Sequence, residues 1–78
     1  MKLSAEIIVE QDIANIEKLF LPEEKAFQNG RACYEIKKAK QGLVFKITAE
    51  DSSALRAVLN SITKLLSVYE STKAAVKE

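Results

Sequence analysis

One stretch, DSSALRAVLNSITKLLSVYESTKAAVK over residues 51–77, limits most severely what this chain can fold into. Leu55, Val58, Leu59, Ile62, Leu65, Leu66 and Tyr69 recur at three- and four-residue steps, the period of a helix with one buried stripe. No Gly or Pro interrupts the pattern. Glu50, Asp51, Ser52 and Ser53 supply cap candidates and charge matched to the helix dipole at its start. At about 1.5 Å per residue the helix runs roughly 35–40 Å. An element that long carries most of the core of a small domain.

Beside the large apolar stripe, Ala54, Ala57, Ser61, Val68, Thr72 and Ala75 form a stripe of mostly small side chains. Arg56, Asn60, Thr63, Ser67 and Ser71 lie next to it, polar and largely uncharged. A solvated face ordinarily carries more Glu and Lys, which form helices well and cost little in water. Small residues let another backbone approach, and a weakly charged face can be covered without stranding charge. The expected partner-binding set is Ala54, Arg56, Ala57, Asn60, Ser61, Lys64 and Val68. A plain exposed face is the alternative.

Upstream, Leu3, Ala5, Ile7 and Val9 alternate with polar residues and predict a first strand with one buried face. Ile8 breaks its polar side. Asp12 is placed to cap a short helix in which Ile13, Ile16, Leu19 and Phe20 share a face, and Pro22 ends it. Residues 22–30 read as a loop with a turn at Asn29-Gly30, where Phe27 plugs the edge of the core. Ala32, Tyr34 and Ile36 predict a second strand, and Leu43, Phe45, Ile47 and Ala49 a third. The tight turn Lys40-Gln41-Gly42 joins these two as an antiparallel hairpin. The expected fold is α+β in the order β-α-β-β-α: a three-stranded antiparallel sheet with both helices on one face.

With 78 residues there is room for one domain, residues 1–78. A domain this small buries a low fraction of its surface and is marginal alone. Cys33 is the only cysteine, so no disulfide compensates, and oligomerisation or a permanent partner is the common remedy. The start, MKLSAEIIVEQ, lacks the long apolar core of a signal peptide. With one free cysteine, that leads to the expectation of a cytoplasmic chain that spans no membrane. The net charge of +1 hides an asymmetry: Arg31, Lys37, Lys38, Lys40 and Lys46 face a single acid, Glu35, within residues 31–46. Such a segment suits RNA phosphate, but lysines also guard strand edges against aggregation.

Catalytic chemistry is not expected. The chain has no histidine, and Cys33 lacks a CxxC partner. Glu23-Glu24 reads as solvated loop and Glu50-Asp51 as helix-start charge. With Gly30 and Gly42 its only glycines, it holds no phosphate loop. No metal and no cofactor is implied.

The long helix carries a resemblance. Asp51, then Leu55-Arg56-Ala57, Leu59-Asn60-Ser61 and the run ending in Leu65 and Leu66 resemble the signature helix of the small subunit of the KEOPS/EKC complex. The upstream order of elements fits in outline. The aromatic residue of many relatives is absent across Thr63 to Leu65, so both the main subunit and a diverged paralogue that pairs with it fit. The resemblance implies a non-catalytic dimeric scaffold, formed with itself or a paralogue, its two sheets joined and its long helices on one side. It implies docking of the catalytic subunit of KEOPS and help in presenting tRNA for threonylcarbamoyl-adenosine (t6A) modification. The alternative is an independent KH-like RNA-binding module using the basic hairpin, although the GxxG loop and paired strand aromatics of such modules are missing.

Overall fold

The computed structural model describes residues 1–23, 25–27 and 29–76, with side chains through residue 72. Glu24 and Lys77, and the side chain of Ala75, lie outside the described set. In chain order the elements are β1 (Leu3–Val9), α1 (Ile13–Phe20), β2 (Ala26–Phe27), β3 (Ala32–Ala39), β4 (Gly42–Ala49) and α2 (Ser52–Val76). The sheet is antiparallel and ordered β1-β4-β3-β2.

Among the described residues, four strands replace the expected three. The addition is β2, which pairs Ala26 with Cys33 and Phe27 with Ala32 inside the segment expected to be loop. Asn29 and Gly30 make the predicted turn, both at positive φ, and the Gly30 N–H donates to the Phe27 carbonyl at 3.1 Å. The hairpin exists because Phe27 gains apolar cover: its ring lies 6.2 Å from Tyr34, at the edge of the core. At the other hairpin, Gly42 has φ +143, and a Cβ there would sit 2.2 Å from the Val9 carbonyl oxygen. Only glycine lets β1 and β4 meet this closely beside the turn.

Strand alternation places the core. Leu43, Phe45, Ile47 and Ala49 of β4 are all buried and face both helices, together with Ala32 and Tyr34 of β3. Ile16 and Phe20 of α1 and Ala54, Val58 and Ile62 of α2 close the layer from above. Phe20 meets Phe45 edge-on at 4.8 Å. Both helices therefore share one face of the sheet. The axis of the α2 stripe runs through Ala54, Val58 and Ile62, with Leu55, Leu59, Leu65, Leu66 and Tyr69 half-buried to either side.

The opposite face is open and mostly polar. Rows across β1, β4 and β3 read Ser4, Thr48, Cys33; then Glu6, Lys46, Glu35; then Ile8, Val44, Lys37. Val44 is buried there under its neighbours, whereas Ile8 stays exposed. Ile8 and Val44 are register partners, so this face carries one adjacent apolar pair. No helix among the described residues is long and apolar enough to cross a membrane.

Candidate functional site

Asp51 fixes the start of α2. Its Oδ1 accepts the Ala54 N–H at 2.8 Å, an N-cap, and its Oδ2 accepts from Arg31 Nη2 at 2.6 Å. Both contacts hold the carboxyl below the usual carboxylate range, the backbone bond more than the guanidinium. The Glu50 N–H donates to the Arg31 carbonyl at 2.8 Å, so the helix leaves the sheet in one defined direction. Asp12 does not cap α1 as expected. Its backbone is left-handed (φ 53) and no side-chain cap bond forms. Its carboxylate instead accepts the Tyr69 hydroxyl at 3.1 Å, tying the start of α1 to the C-terminal half of α2.

With α2 held at both points, its outer face follows. Arg56, Asn60, Ser61, Lys64 and Val68 are exposed, and Ala57 is half-buried at their margin. Ala54 requires a correction: it is fully buried in the core and offers no partner any surface. The first turn of α2, tethered through Arg31 and Asp51, sits against the sheet end that carries the small buried residues Ala32 and Ala49. Only a small side chain fits so near a backbone. The Thr63 hydroxyl donates back to the Leu59 carbonyl at 2.8 Å, so it is already spent within the helix.

The basic residues do not form one stripe. Arg31 pairs with Asp51 at 2.6 Å and Lys38 with Glu17 of α1 at 3.2 Å; Lys37 stands 3.9 Å from Glu35. Lys46 lies in register between Glu6 and Glu35 on the open face, and Lys40 sits in the β3–β4 turn. Lys37 and Lys46 point away from the helices and Lys38 toward α1. The positive charge is thereby divided between two faces and partly neutralised. Cys33 is exposed on the open face, its Sγ 3.4 Å from the Thr48 hydroxyl.

A feature missed in the sequence is an open groove of about 590 Å³ beside β1. Ile7, Val9, Asp12, Ile16, Leu66 and Tyr69 are among the residues that line it. Its lining comes from three separate elements, so no local pattern announces it.

The family model described as transcription factor Pcc1 matches residues 2–73. No curated protein and no solved structure matches the chain.

Proposed function

The chain belongs to the Pcc1 family, the KEOPS subunit family, and from that premise we propose that it is a non-catalytic scaffold subunit of a KEOPS complex in the cytoplasm. In this reading it docks the catalytic subunit, self-associates or pairs with a paralogue, and helps the assembled complex hold tRNA during t6A formation. The chemistry belongs to the other subunits.

The observation that carries the reading is the outer face of α2. Arg56, Asn60, Ser61, Lys64 and Val68 present an exposed surface with two cations, two uncharged polar residues and, at its C-terminal end, an exposed valine. Asn60, Ser61 and Val68 can be covered without burying a charge, and Arg56 and Lys64 call for acidic groups on the partner. Ala57 at its margin leaves room for a close backbone. The divided positive charge weighs against an independent RNA-binding module, because backbone binding needs several cations acting along one track.

The test is co-purification of the tagged chain with the catalytic KEOPS subunit, alongside a tRNA titration of each component and of the mixture. A stable complex that binds tRNA more tightly than the chain alone is the expected result. Failure to co-purify under gentle conditions overturns the docking proposal. Tight, salt-dependent binding of tRNA by the isolated chain would transfer the assignment to the RNA-binding module.

A further inference from the structure

Between residues 52 and 69 the long helix carries two charges, Arg56 and Lys64, and both are cations. A solvated helix is stabilised where an acid stands three or four residues from each cation. Here every such position holds Ser, Asn, Leu or Val. Among the described residues neither cation has an ion-pair partner on another element, whereas Arg31, Lys37 and Lys38 each have an acid beside them.

The two cations also stand in one row. Arg56, Asn60, Lys64 and Val68 follow one another at four-residue steps and form a ridge along the exposed side of α2. The row beside it, Ser53, Ala57 and Ser61, is made of small side chains. A ridge of a second helix fits such a low row, and two four-step ridges packed in this way set their axes at about −50°. Arg56 and Lys64 then line one wall of the seat, about 12 Å apart along the helix. A partner without acids would leave both cations desolvated and unpaired, which is strongly unfavourable. RNA is the poorer occupant. Two cations on one helix make a short track, and the basic residues of 31–46 belong to other elements.

We propose that α2 selects its partner by acidity: the docked element is a helix that seats a ridge in the Ser53–Ala57–Ser61 row and sets one carboxylate against Arg56 and a second against Lys64. This rests on the docking proposed above and names the chemistry by which the partner is chosen. The low row admits any helix of suitable relief. The two cations restrict the choice to an acidic one, because a neutral or basic helix strands them.

Arg56→Glu, Lys64→Glu and the double variant are titrated against the catalytic subunit at low and at physiological salt. Lys40→Glu, in the β3–β4 turn, is the control of equal charge change. Each α2 reversal is expected to weaken binding by about tenfold or more, most strongly at low salt, and the control to change it little. Arg56→Gln and Lys64→Gln repeat the measurement without adding an acid, and thermal melts matching the unmodified chain show that the variants fold. A charge-reversal scan of the acids on the catalytic subunit's helices should yield a Lys substitution that restores affinity for Arg56→Glu, a rescue that a merely structural role would not give. A folded double variant that binds as the unmodified chain does overturns the proposal and leaves docking standing. An equal loss in Lys40→Glu also overturns it, since net charge alone would then govern binding. Undiminished association with weaker tRNA binding by the complex overturns it in favour of RNA phosphate. If the unmodified chain does not bind the catalytic subunit, docking falls and the acidic recognition with it.

Discussion

The Tyr69 hydroxyl donates to the Asp12 carboxylate at 3.1 Å, joining residues 57 positions apart in the chain. Both residues line the groove beside β1, and the bond anchors the half of α2 that contributes least to the buried core. Tyr69→Phe should therefore destabilise the fold by about 0.5–1.5 kcal/mol, the usual worth of one such bond. Urea unfolding with an unchanged m-value is the check; a neutral result would mean that the hydroxyl is equally well served by water.

Neighbouring positions on α2 should separate docking from folding. Ser61→Glu leaves an exposed residue exposed, so stability should change by no more than about 0.5 kcal/mol. The same charge, buried under a docked partner without a counterion, costs several kcal/mol and should abolish co-purification with the catalytic subunit. Ile62→Glu and Ala54→Glu place that charge in the core and should unfold the chain. Normal complex formation by a folded Ser61→Glu variant would remove this face from the docking surface.

Gly42 and Gly30, both at positive φ, predict a contrast set by their surroundings. Gly30→Ala adds a methyl into open space, leaving only the backbone cost of φ +85, about 1 kcal/mol. Gly42→Ala forces a Cβ against the Val9 carbonyl at 2.2 Å and must displace one strand from the other. Its loss should exceed that of Gly30→Ala clearly, by roughly 1–3 kcal/mol. Thermal melts of the two variants side by side give the answer.

Acid should weaken the start of α2. The Asp51 carboxyl titrates below its unfolded value of about 3.9, so its contribution is fully present above that pH and is lost as pH falls through the lower folded value. At the alkaline end, burial and then the nearby Glu23 charge raise the Tyr34 phenol, so stability declines above about pH 10 as the unfolded chain ionises first. Asp51→Asn should flatten the acid limb of a melting-temperature profile while sparing the alkaline limb. An unchanged acid limb would show that other carboxylates govern it.

The main architecture was legible because alternation and helical period are strong over seven or more residues. The strands through Ala5, Tyr34 and Phe45 and the stripe through Val58 and Ile62 all stand where periodicity puts them. Strand β2 was not legible, since two residues cannot display an alternation and their pairing depends on the Phe27–Tyr34 contact. Ala54 was misplaced because a small side chain carries the same signal on a docking face and beneath a close backbone. Asp12 has a cap's composition but spends its carboxylate on a residue far along the chain. Contacts of that range leave no local trace.

The order β1-β4-β3-β2 has a kinetic consequence. The β3–β4 hairpin closes through a two-residue turn, but Val9 can meet Leu43 only after α1, β2 and β3 have been made. Closing that longer loop costs entropy before any contact rewards it. On the ribosome, β1 emerges before the strand it pairs with and is then among the last of these strands to be paired. Substitutions in the β3–β4 hairpin should accordingly slow refolding, whereas those in β1 should chiefly speed unfolding. The strand whose outer edge has no neighbour among the described residues is also the one most exposed to the wrong neighbour during synthesis.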